Sequence, residues 1–595
     1  MIKQLLIMQL AYCLIQPAFA QHTVYVDASN DSGIENGTPE HPFNTIKEGV
    51  ANSTSGTTVM IREGNYYPDS TWQAYQNALY LKPGIALTGE GMANTIIHGV
   101  IVDWDQGNLS CKLDGMAFLE YHFARGPSEG PFDQQNIIRN CQADLIEINH
   151  SAGTPVNDST PGPIYGFMIE NNDLGVGGIQ FAQGSGVANN IIQNNTCGTI
   201  LIYSGAGYTY LVDNNELQYG IIDASGVCKT TISNNRIYNG GIIDKSGSNP
   251  YGVEDQFIEF NTITCNEDSP LFQDEDVKAA IIARPKSVTI RNNTITCSGM
   301  VYGIYSKSGG PFHVIDNNIQ TEEAFQPATD PDEAVCGIYT KAGWGYVTGN
   351  IIYGGQIGYY SKAGTEDFSG NEISGAYIGF LSSGAEEVHH NTIKECHGDG
   401  MILEGLAGPV HNNAIMDNAG SGIRITRVPI DLGGGQDTCP GLNVITGNGN
   451  FDLYIETMSE QHPAVFARFN VWDHSDPAEI MQYDIRDGSD STGLVTVDFS
   501  PVGYLGAEEM KEVAGFEIFP NPTSGKFKIF PPPSFADSFT IGLSDLAGRA
   551  TEMVSDIKPG QDQTAYDISH LPAGVYLCRI TDSNAVIMKK IVKCR

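Results

Sequence analysis

Short apolar runs separated by Gly, Asn and Asp fill the chain between about residues 166 and 426. One recurring half-pattern is Gly-Ile-x-x-x, found at Gly178, Gly220, Gly241, Gly303, Gly337, Gly358, Gly379, Gly400 and Gly422. The other is Asn-x-Ile or Asn-x-Leu, found at Asn172, Asn195, Asn215, Asn235, Asn261, Asn293, Asn317, Asn350, Asn371, Asn391 and Asn413. Most Asn spacings are 20 to 24 residues. A period of this length predicts a solenoid whose repeats bury their core against one another.

Two short apolar runs per repeat, with no helical periodicity, exclude the helical solenoids. The Leu positions of leucine-rich repeats are absent, so a parallel β-helix remains. The repeated Asn suits a tight turn, since Asn tolerates left-handed backbone, and stacked Asn amides bond from coil to coil. Three longer spacings predict loops that leave single coils. The fold class is therefore all-β.

Both ends of the repeat region carry further motifs: Val24-Tyr25-Val26-Asp27, Gly37-Thr38-Pro39 and Val59-Met60-Ile61 at the start, and Val471-Trp472-Asp473 with Val497-Asp498-Phe499 at the end. With the repeats, they resemble right-handed parallel β-helices of the pectin-lyase-like class. The resemblance implies a β-helix over residues 21–503, a short capping helix near Thr45 to Ala51, and a closing coil.

The last 80 residues follow a different rhythm of short alternating runs punctuated by Pro and Gly. Phe519-Pro520-Asn521-Pro522, Leu571-Pro572-Ala573-Gly574 and Lys589-Lys590-Ile591-Val592-Lys593 resemble the C-terminal sorting domain of the type IX secretion system of Bacteroidota. The resemblance implies a small β-sandwich over 515–595, a linker over 504–514, and the secretion machinery as a partner. An adhesive β-sandwich is the alternative.

Residues 1–20 have the charged start, apolar stretch and Ala-Phe-Ala end typical of a secretory signal peptide. No later apolar run is long enough to cross a membrane. Lys+Arg total 32 and Asp+Glu 69, for a net charge of −37. This charge excludes nucleic acid and anionic lipid as partners that need a basic surface. We expect a monomer that is extracellular or on the outer-membrane surface.

Counting from each Gly of the Gly-Ile runs, with Ala280 taken as the Gly equivalent of one run, position +4 is a cation in five consecutive repeats: Lys245, Arg284, Lys307, Lys341 and Lys362. Position +2 supplies Tyr305, Tyr339 and Tyr360. Positions +2 and +4 of a strand face the same way, so stacked coils predict one face of cations and aromatic rings. Such a face suits the carboxylates and sugar rings of an acidic polysaccharide. A solvated exterior column, or a bulge that buries the tyrosines, is the alternative.

A second group follows in the next repeats: Asp399, Glu404 and Arg424. It resembles two polygalacturonase motifs, but the preceding repeats lack the paired aspartates of an inverting hydrolase. β-Elimination needs only a base and cations that hold the substrate carboxylate. Lys307, Lys341 and Arg284 are the candidates, with Lys245, Lys362, the tyrosines and the second group binding substrate. A lyase is thus preferred to a glycoside hydrolase, and a non-catalytic adhesive protein is the alternative.

Two acidic insertions, Thr264 to Ala279 and Gln320 to Cys336, offer oxygen ligands for Ca²⁺ or act as solubilising loops. No cofactor or metal is assigned. His389 and His411 share an offset before their Asn, which suits stacked surface histidines better than a metal site. The near-copies ending in Cys265 and Cys297 predict adjacent strands with either a disulfide or two buried thiols.

Overall fold

The computed structural model describes most of residues 22–593. It leaves out 68–77, 83, 104–111, 120–121, 126–135, 150–164, 183–187, 204–207, 226–228, 246–255, 270–274, 276, 286, 363, 386, 406–407, 427–429, 436–438, 457–463, 492, 504–516, 520–522, 524, 531–538, 546–549, 558–564, 572–573 and 582–585. The predicted signal peptide and linker therefore lie outside the described residues.

The repeats form a right-handed parallel β-helix, as predicted, whose coils build three parallel faces. Sheet 1 holds the Gly-Ile strands: Ala78–Tyr80, Val100–Asp103, His122–Arg125, Leu145–Asn149, Gly178–Ala182, Gly241–Asp244, Ala279–Ala283, Ile357–Ser361, Ile378–Ser382, Met401–Leu403, Ile423–Ile425, Leu453–Ile455 and Ile485–Arg486. Sheet 3 holds the Asn-x-Ile strands: Gly64–Tyr66, Thr95–His98, Ala117–Leu119, Arg236–Tyr238, Thr262–Asn266, Thr294–Ser298, Asn318–Glu323, Ile351–Gly355, Glu372–Ser374, Thr392–Lys394, Ala414–Met416 and Val444–Thr446.

Sheet 2 joins them on the third side: Thr23–Val26, Thr58–Ile61, Ala86–Gly89, Lys112–Asp114, Asn136–Arg139, Tyr165–Glu170, Ala188–Gln193, Tyr208–Asp213, Lys229–Ser233, Gln256–Glu259, Val288–Arg291, Thr365–Ser369, Val388–His389 and Val410–His411. Four longer strands turn a corner. Thr196–Ile202 and Glu216–Asp223 run from sheet 3 into sheet 1, and Tyr302–Ile315 and Cys336–Thr348 run from sheet 1 into sheet 2. Asp431–Gly433, Ala464–Ala467 and Thr496–Asp498 form a small parallel sheet in the last coils.

The core follows from vertical register between coils. In sheet 1, Ile242, Ile281, Ile304 and Ile338 pair in succession, and all four are fully buried. Burying each such side chain contributes about 1.5 to 3 kcal/mol. Because strand side chains alternate, the neighbouring positions of the same strands point outwards. This alternation places the candidate site on the outside of sheet 1.

A continuous row of buried asparagines joins sheets 2 and 3. The Asn317 backbone N–H donates to Oδ1 of Asn350 (3.0 Å), and Oδ1 of Asn317 accepts the N–H of Asn293 (3.0 Å). The predicted amide stack is therefore confirmed. The left-handed turn falls one residue earlier than expected, at the residue before each ladder Asn, such as Asn292 (φ 55°) or Phe260 (φ 58°).

Both predicted closures of the coil are present. The helix Ile46–Ala51 starts at Thr45, whose hydroxyl accepts the N–H of Glu48. At the far end, Val471 pairs with Val444, and the short helix Pro477–Glu479 leads into the π-turn Ile480–Asp484. A short 3₁₀ turn, Pro331–Glu333, lies in the second acidic insertion. Among the described residues, no helix is long and apolar enough to cross a membrane.

The C-terminal region forms two small antiparallel sheets. One contains Glu517–Phe519, Lys526–Phe530 and Ala565–Asp567, and the other contains Phe539–Asp545, Ala550–Ile557, Gly574–Thr581 and Val586–Lys593. Side chains from both sheets, including Phe527, Tyr566, Ile541 and Ile591, belong to one buried apolar cluster. The cluster is separate from the solenoid core.

Candidate functional site

The outer face of sheet 1 carries the predicted column at position +2. Strand registers align Ile282, Tyr305, Tyr339, Tyr360, Leu381, Ile402 and Arg424 in that order. Position +4 follows the same face, with one interruption: a register shift pairs Lys307 with Ala342, so Lys341 is the extra residue of a bulge. Residues that are distant in sequence thus lie side by side on one surface.

The three tyrosines lie outside the solenoid core but beneath the second acidic insertion. Tyr305, Tyr339 and Tyr360 are only 4%, 1% and 5% exposed, and they share an apolar cluster with Ala334 of the insertion. The rings of Tyr339 and Tyr360 stack on each other at 4.8 Å. Their faces are therefore covered, which corrects the expectation that they are open for stacking on sugar rings.

Carboxylates from the two insertions neutralise part of the cation column. Glu275, whose side chain is 5% exposed, forms ion pairs with Lys245 and with Arg284 (3.8 Å). Asp332 forms an ion pair with Lys362, and its Oδ1 accepts a hydrogen bond from the Tyr339 hydroxyl (3.0 Å). The Lys362 ammonium holds the pKa of Asp332 below its usual range. Glu275 and Asp332 thus attach the two insertions to this face by ion pairs, and we call the insertions the two straps.

Between these two straps lies a cavity of about 370 Å³. Its charged lining consists of Lys278, Lys307 and Lys341 with Asp332 and Glu333, and its apolar lining of Val277, Met300, Tyr302, Tyr305, Val335 and Tyr339. Lys307 and Lys341 are exposed, and neither forms an ion pair with a described residue. The volume falls in the range of small-molecule sites. Among the described residues, the lining thus combines three ammonium groups with two carboxylates in a strongly acidic chain.

The structure separates the predicted second group into two parts. Asp399 and Arg424 come together, with Nε of Arg424 donating to Oδ2 of Asp399 at 2.7 Å. Asp399 is 7% exposed and also accepts the N–H of Ser421. Glu404 instead accepts a hydrogen bond from the Ser383 hydroxyl (3.1 Å). Asp399 is thus held as an ion-paired structural carboxylate.

Sequence reasoning stopped the outward column at Arg424, but the structure extends it by two coils. Tyr454 and Arg486 follow in register, and the guanidinium groups of Arg424 and Arg486 lie 4.9 and 4.7 Å from the Tyr454 ring centroid. Lys278 and Tyr302 of the cavity were also missed. Both residues precede the first position of their run, so counting forward from that position did not reach them.

One group of carboxylates offers metal ligands among the described residues. Oxygen atoms of Asp452, Asp473 and Asp484 lie within 4.8 Å of one another in the closing coils. Burial raises the pKa of Asp452 to about 7, and the two neighbouring carboxylates add to this effect. Oxygen ligands of this kind suit Ca²⁺. Asp473 stands in a motif that sequence reasoning used only to mark the closing coil.

The predicted histidine pair forms a ring stack. The rings of His389 and His411 are parallel at 5.2 Å. Nε2 of His389 faces Oδ1 of Asp367 (3.2 Å), which raises the pKa of His389, and Nε2 of His411 faces Glu387 (3.2 Å). No described group of three metal-ligating side chains includes either histidine. The rings fill successive coil positions on sheet 2.

Cys265 and Cys297 are register partners on neighbouring strands of sheet 3, as expected from their near-copy sequences. Both cysteines are buried free thiols in this structure, which agrees with the second alternative and not with the disulfide. Burial raises the pKa of the Cys265 thiol to about 12, and it also raises the pKa of the Cys297 thiol. The pair therefore packs as apolar core.

Family comparisons agree with this architecture. A model described as the right handed beta helix region matches residues 177–325, and a model described as a protein of unknown function (DUF1565) matches residues 262–479. The chain is a right-handed β-helix protein. A third model, the secretion system C-terminal sorting domain, matches residues 517–594. The β-helix protein is accordingly secreted to the cell surface or the extracellular space by a type IX route.

No curated protein matches the β-helix protein. Among solved structures, it is similar to the catalytic unit of a GH87 α-1,3-glucanase from Streptomyces thermodiastaticus strain HF3-3: 14% identity, 82% of this chain, 69% of that chain, TM-score 0.28. It is also similar to the A-modules of the mannuronan C-5 epimerases AlgE6 (10% identity, 77% and 95%, 0.16) and AlgE4 (11%, 72% and 90%, 0.17) of Azotobacter vinelandii. TM-scores this low carry no argument about activity.

Proposed function

We propose that the β-helix protein binds an acidic polysaccharide outside the cell, at the cavity between the two straps of sheet 1. The observation that carries the proposal is the pair Lys307 and Lys341. Both are exposed, line the cavity, and form no ion pair with a described carboxylate. In a chain with net charge −37, exposed ammonium groups that form no ion pair with a described residue in a concave site suit an anionic ligand.

The straps define how such a ligand would be held. Lys245, Arg284 and Lys362 already have carboxylate partners in Glu275 and Asp332, so they organise the rim of the site. A substrate carboxylate would meet the ammonium groups of Lys307 and Lys341, while Tyr302 and Met300 offer contact to the apolar face of a sugar ring. The binding role therefore moves from the predicted tyrosine column to the cavity.

Cleavage by β-elimination is the finer part of the proposal. It requires a base that removes the proton next to the sugar carboxylate, and cations that stabilise the resulting enolate. One of Lys307 and Lys341 holds the carboxylate as an ammonium, and the other, as a neutral amine, takes the proton. The C–O bond to the leaving sugar breaks as the C=C bond forms, and the protonated amine returns its proton to the departing oxygen. Arg284 is engaged by Glu275 and lies 6.0 Å from the Tyr305 ring centroid, which favours a positioning role for it.

The test is affinity electrophoresis of the full chain in gels that contain polygalacturonate, alginate or chondroitin sulfate. The test variant is Lys307→Ala with Lys341→Ala, and the control is Lys112→Ala with Lys394→Ala. The control removes the same charge from sheets 2 and 3. We expect retardation to be lost in the test variant, retained in the control, and weakened by salt because it depends on charge.

Equal retardation of both double variants would show that the cavity is not the binding site. In parallel, ultraviolet absorbance of each polysaccharide after incubation reports new unsaturated ends. An increase that the test variant lacks assigns a lyase. Binding without an increase assigns a non-catalytic surface protein, which is the second function considered from the sequence.

A further inference from the structure

A different face of the solenoid carries exposed aromatic rings that the cavity does not use. On the sheet 2 part of Cys336–Thr348, Trp344 is 49% exposed and Tyr346 is 39% exposed. Two residues apart on one strand, their side chains point to the same side. We call Trp344, Tyr346 and the nearby His313 the aromatic platform.

The platform extends across two coils. His313 is the register partner of Tyr346 in the preceding coil, and the two rings are stacked at 5.1 Å with 10° between their planes. Stacking of this kind places His313 and Tyr346 in one aromatic row that follows the solenoid axis. The facing surfaces of these two rings cover each other, so the exposed indole of Trp344 is the ring face that the platform offers to a ligand.

The coils on either side leave the indole uncovered. The register partner of Trp344 in the preceding coil is Pro311, and the following coil brings Gly364 against it. A Cβ placed on Gly364 would lie 3.2 Å from the Cβ of Trp344, so any larger residue would crowd this position. The local sequence therefore keeps the ring open, whereas the tyrosines of sheet 1 are covered by a strap.

Three carboxylates lie beside the platform or in the coils that follow it, and two of them face imidazoles. Glu366 accepts a hydrogen bond from the Tyr346 hydroxyl, and this bond raises the pKa of Tyr346. Asp367 is the register partner of Tyr346 in the next coil and faces His389. Glu387 follows and faces His411. Carboxylates at the edge of aromatic rings suit the hydroxyl groups of a sugar, and they repel the carboxylates of an acidic chain.

The size of the platform excludes a stable protein partner. Half-exposed Trp and Tyr rings offer about 200 Å² together, while specific protein interfaces bury about 800 Å² on each partner. A second copy of this chain would also bring like-charged carboxylates together. We infer that the aromatic platform of Trp344, Tyr346 and His313 binds a neutral polysaccharide, in which a sugar face stacks on the Trp344 indole. This site is independent of the one proposed on sheet 1.

The experiment is affinity electrophoresis of the full chain in gels that contain laminarin, xylan or galactomannan, with alginate and chitosan gels for comparison. The variants are Trp344→Ala, Trp344→Phe and Tyr346→Ala. The control is Tyr238→Ala, which removes an equally exposed tyrosine (39%) from sheet 3. Circular dichroism confirms that each variant keeps its β-structure.

We expect retardation by at least one neutral glycan. Trp344→Ala should weaken it about tenfold, as expected for an aromatic contact that dominates binding, and Trp344→Phe should weaken it less. Tyr238→Ala and the Lys307→Ala with Lys341→Ala variant should bind neutral glycans normally. Absence of retardation by all three neutral glycans overturns the proposal. A Trp344-dependent response to chitosan or alginate alone overturns the neutral class, and equal loss in Tyr238→Ala overturns the location.

Discussion

The buried asparagine row makes a specific prediction about stability at Asn317. Its Oδ1 accepts two hydrogen bonds from Asn293, from the backbone N–H (3.0 Å) and from Nδ2 (2.9 Å). Its own Nδ2 donates to the Ile290 carbonyl (2.9 Å) and to Asn350 (3.0 Å). Asn317→Ala removes all of these bonds in a site that is 1% exposed.

The cost is dominated by the two Asn293 donors that lose their acceptor. A buried donor without a partner costs about 1 to 3 kcal/mol, so Asn317→Ala should lower the free energy of unfolding by about 2 to 6 kcal/mol. Asn318→Ala is the matched control, because Asn318 is the next residue, is exposed, and has a side chain without a hydrogen bond to a described residue. Its substitution should change stability by less than about 0.5 kcal/mol.

Chemical denaturation followed by circular dichroism measures the global effect. Hydrogen exchange of peptides spanning 288–298 and 311–323 measures the local one, which matters because solenoids can unfold in segments. A loss below about 1 kcal/mol in Asn317→Ala, or equal losses in both variants, would refute the view that the amide row holds adjacent coils together.

Three further predictions concern single residues. Phe260→Asn should raise the melting temperature, because Phe260 is 51% exposed and adopts a left-handed backbone that Asn tolerates better by about 1 kcal/mol; a lower melting temperature would contradict this. Asp452→Asn should stabilise the protein at pH 8 in EDTA, and by less than half as much at pH 5. The pKa of Asp452 is raised to about 7, so the folded protein favours the protonated carboxyl. The free energy of unfolding therefore falls by up to about 4 kcal/mol as the pH rises from about 4 through 7. Equal effects at both pH values in denaturation curves would count against this reasoning. Asp332→Asn should strengthen retardation in alginate or polygalacturonate gels several-fold, because it frees Lys362 and removes a carboxylate from the cavity; weaker retardation would argue that Asp332 orders the site.

The repeat pattern was sufficient to predict the β-helix and the columns on its faces, whereas the capping helix was implied by the resemblance of the N-terminal motifs. The reason is that a solenoid converts sequence period directly into spatial register: residues such as Tyr305, Tyr339 and Tyr360 stack because their coils have the same path. The sorting domain was recognisable for a different reason, since its turn motifs are local in sequence and need no long-range contact.

The tertiary structure decided everything that depends on the two insertions. Their length and composition were visible, but irregular loops have no period that predicts where they fold. Only the folded structure brings Glu275 to Lys245 and Arg284, and Asp332 to Lys362. These contacts cover the tyrosines and leave Lys307 and Lys341 in a cavity. The amino-acid sequence by itself thus determined the coil, its faces and its export, because these follow from local repetition. Which side chains remain open to a ligand depended on contacts between distant loops.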